Sequence, residues 1–194
     1  MDRSEQIRAI FELYYPISAN GFQRVLETIS LREIEKNSLF IEKGKRNHEE
    51  YFILDGVCRS FVFTPEGDEI TLSFFEKNSV LTPHVARTQN DQSLVNFDSC
   101  TPLLVGVFKA EDLLNLMIED VEIRTFGNNV LQKELISKTR KEIENASLTA
   151  RDRLIQFRQR HPLLENTVPH TQIASYLGIT PISLSRLRKE LAGQ

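Results

Sequence analysis

The sequence is poor in the residues that build metal centres, disulfide frameworks and membrane spans. Its 194 residues include two cysteines, four histidines and no tryptophan. Cys58 and Cys100 stand alone in apolar stretches, a pattern that favours buried reduced thiols over a disulfide. The histidines lack ligand spacing and two thiols are too few for an iron-sulfur cluster, so no metal, haem or cluster is expected. No apolar run approaches the roughly 20 residues of a membrane span, so we expect no membrane partner.

The residue patterns of an enzyme are also missing. Serine, histidine and acidic residues occur in no arrangement typical of a nucleophile with its base, a carboxylate pair or a metal set. The N-terminus carries Asp2, Arg3 and Glu5 and does not resemble a signal peptide. The sequence therefore predicts a soluble cytoplasmic protein that is not an enzyme and has no resident cofactor.

Charge is divided unevenly along the chain. The whole sequence has a net charge of −3, whereas residues 149–194 hold seven basic and three acidic side chains, a net charge of +4. The first 148 residues therefore carry −7, because −3 minus +4 is −7. Such asymmetry is typical of a basic nucleic-acid module attached to an acidic regulatory domain.

The basic end contains a helix-turn-helix pattern over residues 169–191. Ala174 is the small residue that lets the two helices cross, and Gly178 supplies the turn after the first helix. Ile173 and Leu177 lie one helical turn apart on the apolar face of that first helix. All framework positions of the motif are therefore occupied.

The second helix is predicted to begin at Pro181, since Thr180 supplies an N-cap and the first helical position needs no N–H. With the leucines inward, a second set of side chains points outward or lies on the flanks. This predicted DNA-binding set is Ile182, Ser183, Ser185, Arg186, Arg188 and Lys189. Arginine suits guanine edges, serine a base or phosphate, and an exposed isoleucine a thymine methyl. An ordinary amphipathic hairpin with solvated charges is the alternative.

Upstream, the spacing of the apolar residues predicts two short helices followed by a β-rich region. Helical spacing covers residues 7–14 and 22–29. The predicted strands are residues 39–42, 51–54, 57–64, 69–75, 93–97 and 103–108. Turn residues at 65–68 join two of these strands in a predicted hairpin. The pattern is typical of an α+β fold with a small antiparallel β-barrel or jelly roll.

After Lys109, apolar spacings near three and four predict one long helix from about residue 112 to residue 146. We predict that this helix pairs with its own copy in a homodimer, because its apolar stripe is longer than one barrel covers. The predicted dimer contacts are Ile123, Phe126, Val130 and Leu131. Gly127 interrupts the stripe, and a long core helix within one chain is the alternative.

The order of elements and four local segments resemble the Crp/Fnr family of bacterial transcription regulators, whose sensor is a cyclic-nucleotide-binding-type domain. The segments are K-G at 43–44, Y-F-I-L-D-G at 51–56, P-E-G-D-E-I-T-L-S-F-F at 65–75 and I-A-S-Y-L-G-I-T-P-I-S-L-S-R-L-R-K at 173–189. The last segment is the specific one, and the resemblance covers nearly the whole chain.

This resemblance implies a sensor domain over residues 1–110, a dimerisation helix over 111–147 and a helix-turn-helix domain over 148–194. It also implies a homodimer on double-stranded DNA with a pseudo-palindromic operator. Members of the family commonly contact RNA polymerase, which makes the polymerase a further expected partner.

The sensor departs from the family pattern. Members that bind cyclic nucleotides have a Gly-Glu pair and an Arg-Ser or Arg-Thr pair where this sequence aligns Thr82-Pro83 and Gln92-Ser93. A buried phosphate without its arginine leaves a charge uncompensated, so cyclic AMP is not the expected ligand. The effector-pocket candidates are Thr82, Pro83, His84, Arg87, Gln92 and Ser93. A solvated loop is the alternative.

The end of the sequence departs as well, since only three residues follow Leu191 where family members continue into a β-hairpin wing. We expect the helix-turn-helix to lack a full wing. Phosphate contacts are expected instead from Arg151, Arg153, Thr171 and Gln172.

The sequence as a whole predicts a sequence-specific DNA-binding transcription regulator of Crp/Fnr type. The alternative is an effector-binding or protein-interaction module with weak or lost DNA binding. The cations Arg186 and Lys189 on the outward face favour the first interpretation.

Overall fold

The structure, a computed structural model, describes residues 2–192 and has an α+β architecture of antiparallel sheets flanked by helices. The helices are α1 (Arg3–Tyr14), α2 (Ala19–Thr28), α3 (His84–Arg87), α4 (Ala110–Glu119), α5 (Val121–Ser147), α6 (Ala150–Arg160), α7 (Leu164–Thr167), α8 (His170–Tyr176) and α9 (Pro181–Ala192). The strands are β1 (Ser30–Ile34), β2 (Leu39–Ile41), β3 (Glu49–Asp55), β4 (Cys58–Phe63), β5 (Glu69–Phe75), β6 (Ser79–Val80), β7 (Thr88–Gln89), β8 (Gln92–Ser93), β9 (Asn96–Ser99) and β10 (Leu103–Lys109).

Two four-stranded antiparallel sheets form the body of the region predicted to be a sensor domain, which keeps the name sensor below. Sheet A has the order β1-β10-β3-β6, sheet B has the order β2-β9-β4-β5, and β7 and β8 form a separate hairpin. A buried core that includes Tyr51, Ile53, Phe97 and Val105 draws its side chains from strands of both sheets. Within residues 2–192 no hydrogen-bonded ladder joins sheet A to sheet B, so the predicted α+β fold is confirmed in its jelly-roll form and not as a closed barrel.

The predicted hairpin between β4 and β5 is confirmed. Its turn is closed by the Thr64 N–H, which donates to the Asp68 carbonyl at 2.9 Å. Gly67 has a φ of +93°, a backbone conformation that side chains disfavour and glycine adopts freely. The turn residues therefore fix the register of the two longest neighbouring strands of sheet B.

The predicted single long helix is wrong, because the chain bends at Asp120 between α4 and α5. One Asp120 carboxylate oxygen accepts hydrogen bonds from the N–H groups of Glu122 and Ile123, at 2.9 and 3.3 Å, which caps α5. Gly127 does not interrupt α5. A Cβ at this position would lie 2.4 Å from Met117 Cε, so the glycine lets α4 pack closely on α5.

The N-terminal half of α5 belongs to the chain's own core. Ile123, Phe126 and Val130 are only 0%, 2% and 6% exposed, and they pack with residues of α1, α2 and sheet A. The Phe126 ring lies 4.1 Å from the ring of Phe11. Because these three side chains are buried within the chain itself, their predicted role as dimer contacts is wrong. Leu131, the fourth predicted dimer contact, is half-buried.

A third core joins the C-terminal helices to sheet B. Val57, just before β4, and Phe74 of β5 are buried together with Leu154 and Phe157 of α6 and with the apolar residues of α8 and α9. The helix-turn-helix unit is thus packed on the sensor and does not form a separate globule. None of the helices in the described part of the chain is long and apolar enough to cross a membrane.

Candidate nucleic-acid interface and sensor cleft

The predicted helix-turn-helix is formed by α8 and α9. Ala174 is fully buried where the helices meet, and Leu177 and Leu184 are buried on either side of the turn. Gly178 has a φ of +65°, and a Cβ there would meet no atom within 4 Å. Position 178 therefore favours glycine because of its backbone conformation, and not because a side chain would lack room.

The start of α9 is fixed by its cap. The Ser183 N–H donates to Thr180 Oγ1 at 3.1 Å, and the two hydroxyl oxygens lie 2.9 Å apart. The helix begins at Pro181, as predicted from the sequence. The Ser183 hydroxyl is thus part of the cap, and it is half-buried on the flank of the helix.

Four of the predicted DNA-binding side chains form an open face on α9. Ile182 is 66% exposed, and Ser185, Arg186 and Lys189 are exposed beside it. Within residues 2–192, Arg186 and Lys189 have no carboxylate within 4 Å. This face, defined as Ile182, Ser185, Arg186 and Lys189, is called the reading face below.

Two other predicted DNA contacts are engaged by other residues of the chain. Arg188 lies 3.0 and 2.9 Å from the two ring nitrogens of His170 and forms an ion pair with Glu165 at 3.1 Å. The Gln172 side-chain oxygen accepts from Cys100 Sγ at 3.4 Å, which ties α8 to the loop that follows β9. Thr171 remains exposed at the start of α8.

The two arginines expected to contact phosphates also have internal partners. Arg153 donates to the carbonyls of Leu148 and Leu177, at 2.8 and 3.1 Å, and so joins the ends of α5 and α8. Arg151 forms an ion pair with Glu190 at 3.5 Å. The expectation of a missing wing concerns residues after Ala192, which lie outside the described residues.

The helix α8 is docked on β5, an edge strand of sheet B. Ser175 Oγ accepts from the Thr71 N–H at 2.7 Å and donates to the Glu69 carbonyl at 2.8 Å. The Lys141 ammonium of α5 donates to the Leu72 carbonyl at 2.6 Å and lies 3.5 Å from the centroid of the Tyr176 ring. One lysine therefore contacts the sensor sheet and the helix-turn-helix at once.

A cleft of about 680 Å³ lies between sheet B, α3 and the C-terminal half of α5. Its lining residues are Ser60, Leu72, Thr82, Ala86, Arg87, Leu94, Val95, Lys138, Lys141, Glu142, Asn145 and Ala146. We call this space the sensor cleft. Of the six predicted effector-pocket residues, the structure brings Thr82 and Arg87 to it.

Arg87 is buried beneath the sensor cleft in a dense set of partners. Its guanidinium donates to the Thr82 carbonyl at 3.0 Å, to Asn47 Oδ1 at 2.6 Å and to the Glu49 carbonyl, and lies 3.5 Å from the Glu50 carboxylate. Burial lowers the pKa of Arg87 and raises that of Glu50, and their mutual attraction opposes both shifts. The loop is therefore anchored, and the solvated-loop alternative does not describe Arg87.

The other four predicted pocket residues do not line the sensor cleft. Pro83 and His84 line a separate cavity of about 860 Å³ between the loop, α4 and α5. Burial, followed by the charge of Arg87, lowers the pKa of His84. Gln92 is exposed on β8, and the buried Ser93 hydroxyl donates to the Val95 carbonyl at 2.7 Å.

Three solved structures share this architecture. FixK2 from Bradyrhizobium japonicum superposes with a TM-score of 0.74 at 18% identity, over 86% of this chain and 85% of that one. The c-di-GMP-responsive global regulator CLP from Xanthomonas campestris gives 0.70 at 19%, over 91% and 92%. A protein from Eubacterium rectale assigned to the crp/fnr family of transcriptional regulators gives 0.71 at 14%, over 93% and 88%.

The chain has the Crp/Fnr fold. No protein-family model and no curated protein sequence matches it. At these identities the likeness establishes the fold, and any function must be argued from the reading face and the sensor cleft.

Within this Crp/Fnr fold, most residues that line the sensor cleft were not predicted from the sequence, among them the polar side chains of Ser60, Lys138 and Lys141. Burial, followed by the nearby Lys138 and Arg160, lowers the pKa of Lys141 to about 7. Lysines three residues apart on a helix are ordinarily solvated, so the sequence carries no local sign of this environment. Among residues 2–192, no group of three or more histidine, cysteine or acidic side chains is arranged to hold a metal ion.

Proposed function

We propose that the protein is a sequence-specific DNA-binding transcription regulator that acts as a homodimer and does not respond to cyclic AMP. The observation that carries the proposal is the reading face. Arg186 and Lys189 stand exposed beside Ser185 and Ile182 on a helix whose start and tilt are fixed by Thr180, Gly178 and the buried Leu184. Cationic, hydroxyl and apolar groups on one exposed helix match the chemistry of a major groove.

The direct test is selection of bound sequences from random duplex DNA with the purified protein, followed by variants of the reading face. Arg186→Ala should weaken binding to the selected site by about 1–3 kcal/mol and relax one base preference. Arg3→Ala at the exposed start of α1 is the matched control and should change neither. Selection that enriches no sequence contradicts the proposal and favours the effector-binding or protein-interaction alternative.

The proposed homodimer is supported by an exposed face of α5, which differs from the predicted face that contains Phe126. Val121, Leu135, Ile136 and Ile143 are large apolar side chains that are at least half exposed, with Leu135 at 67%. At about 100° per residue all four lie within one third of the helix circumference. We infer that a second copy of the chain covers this stripe, as in paired helices.

The oligomeric state tests this inference. Leu135→Asp together with Ile143→Asp should convert dimers to monomers in light scattering and abolish binding to a two-fold symmetric site. Ser137→Asp is the control, because Ser137 is exposed on the other side of the same helix. A wild type that is monomeric at micromolar concentration, or a double variant that stays dimeric, contradicts the inferred stripe.

The insensitivity to cyclic AMP rests on the two aligned anchor positions. Pro83 offers neither a carboxylate nor an N–H, and Gln92 is exposed away from the sensor cleft. Calorimetry should detect no saturable binding of cyclic AMP or cyclic GMP at micromolar concentration. Saturable binding of either nucleotide would contradict this part of the proposal.

A further inference from the structure

A second cavity lies apart from the sensor cleft. It has a volume of about 860 Å³ and is lined by residues of β3, of the loop that carries α3, and of the helices α4 and α5. We call it the α4 cavity. Its volume lies within the range of about 300–1,000 Å³ typical of small-molecule sites. The α4 cavity and the sensor cleft share no lining residue, so a molecule in one of them does not occupy the other.

The walls of the α4 cavity are mainly apolar. The cavity extends inward to Phe52, Phe126 and Val130, which are buried members of the core around α5. Val85 and Leu114 are exposed and line the cavity as well, so they form its rim. Because the space reaches from this rim to buried rings, it suits a small apolar molecule better than the surface of a second chain.

One buried polar atom at the wall of the α4 cavity lacks a partner. His84 lines the cavity, and its Nε2 is buried with no hydrogen-bond partner among the described residues. The backbone of His84 is held in place, since its N–H donates to both carboxylate oxygens of Glu50, at 2.8 and 3.0 Å. Buried polar atoms are nearly always paired, so a bound molecule that supplies the missing partner is expected here.

The charges around the α4 cavity disfavour an anion. The charged lining side chains are three carboxylates and one ammonium, those of Glu50, Asp91, Glu111 and Lys109. Burial, followed by the charge of Arg87, lowers the pKa of His84, so its ring is neutral at pH 7. A neutral imidazole has one N–H and one bare nitrogen. A hydroxyl group can bond to either nitrogen, because it both donates and accepts.

We propose that the α4 cavity binds a neutral apolar molecule through one hydroxyl group, which forms a hydrogen bond with His84 Nε2. The apolar body lies against Phe52, Phe126 and Leu114. Such a ligand supplies the missing partner of Nε2 and places no charge beside the carboxylates or the buried rings. The experiments below use no DNA, so a failure of this site and a failure of the proposed regulator function are distinguishable.

Calorimetry on the full chain at pH 7.5 tests the ligand class with four probes that share one ring system: 2-naphthol, naphthalene, 2-naphthoate and 2-naphthylmethylammonium. Neutral 2-naphthol should bind saturably and about five-fold tighter than naphthalene, in line with one neutral hydrogen bond. It should also bind tighter than either ion. Equal affinities for 2-naphthol and naphthalene, tighter binding of an ion, or no binding of 2-naphthol overturns the proposal.

The substitution His84→Phe tests the hydrogen bond, because it keeps a ring at this position and removes Nε2. The ratio of the 2-naphthol and naphthalene affinities should fall from about five to about one. His48→Phe is the matched control, since His48 also lines the α4 cavity with its ring centroid 5.7 Å from that of His84, and it should leave the ratio unchanged. A ratio that persists in His84→Phe, or that falls only in His48→Phe, contradicts the bond to Nε2.

A second pair of variants tests the position of the apolar body and spares the core. Leu114→Asp places a carboxylate on the exposed rim and should lower the affinities for 2-naphthol and naphthalene about ten-fold. Asn115→Asp introduces the same charge at the neighbouring exposed position, which does not line the α4 cavity, and should change neither affinity. Unchanged affinities in Leu114→Asp would place the ligand elsewhere and overturn the proposal.

Discussion

The two halves of α5 differ in what they contact. Residues 121–130 are packed into an aromatic and aliphatic core, where the Phe126 ring approaches those of Phe11, Tyr14 and Phe52 within 6 Å. Residues 131–147 make mainly polar contacts, to β5 through Lys141 and to α6 through an ion pair of Glu144 with Arg160 at 2.6 Å. One half therefore holds the sensor together, and the other holds the sensor to the helix-turn-helix.

This difference separates the part of one continuous helix that stabilises the core from the part that would change state in the proposed function. Close-packed apolar contacts have few alternatives, so the first half of α5 is expected to move with sheet A as a unit. Polar contacts exchange partners at lower free-energy cost, so the second half is suited to a change of state. Variants in each half distinguish these roles.

The largest expected effect comes from the first half. Phe126→Ala should lower the free energy of unfolding by about 3–5 kcal/mol, because it opens a cavity among buried rings. Phe63→Ala on β4 is the matched control, since this ring is 54% exposed and should contribute about 1 kcal/mol. Urea unfolding followed by circular dichroism measures both. Equal losses of unfolding free energy in the two variants would contradict the distinction between the packed half of α5 and the rest of the molecule.

The second half should instead show a pH effect through Lys141. Its pKa is about 7 in the folded chain against an ordinary 10.5, so between these values the unfolded chain binds a proton that the folded chain lacks. Stability contributed by this site therefore rises with pH, by up to about 1.4 kcal/mol per pH unit, and the slope vanishes below pH 7. The groups facing the ammonium are Lys138, Glu144, Arg160 and Tyr176.

Lys141→Met isolates that effect. The difference in unfolding free energy between wild type and variant should grow from pH 7 to pH 10 in favour of the wild type. Arg140→Met serves as the control on the same helix. Parallel profiles for wild type and Lys141→Met would show that the Lys141 ammonium is solvated and keeps its ordinary pKa.

The smallest expected effect concerns the contact of α8 with β5. Ser175→Ala should lower stability by about 1–2 kcal/mol, because it leaves the Thr71 N–H and the Glu69 carbonyl without the serine hydroxyl. The loss should appear as faster hydrogen exchange at Thr71 while the Phe126 core stays protected. Faster exchange throughout both halves would indicate that α5 and α8 unfold together.

Local signals were sufficient for the helix-turn-helix and for the β4–β5 hairpin. Gly178, Pro181 and Gly67 each act through their own backbone conformation, which the sequence specifies without knowledge of the surroundings. Asp120, an N-cap residue, and Glu122 in the first turn are a local sequence signal for the start of α5, which the prediction of one long helix did not take into account. Strand β1 was missed because four of its five residues are exposed and no apolar alternation marks it.

Contacts made at a distance along the chain could not be predicted. Helical spacing identified the apolar face that includes Phe126, but it does not say whether α1 or a second chain covers that face. Likewise, nothing near Lys141 or Ser60 in the sequence indicates burial, because the cleft forms only when α5 lies across sheet B. Of the sensor site, therefore, only Thr82 and Arg87 were reached from sequence.

The docking of α8 has a consequence for solubility. Ser175 and Lys141 occupy backbone groups along β5, the outer strand of sheet B, and so cover an edge that would otherwise be open. Uncovered strand edges are templates for pairing between molecules and promote aggregation. A state in which α8 leaves β5 would expose this edge, so the docked helix-turn-helix also protects the sensor sheet against edge-to-edge association.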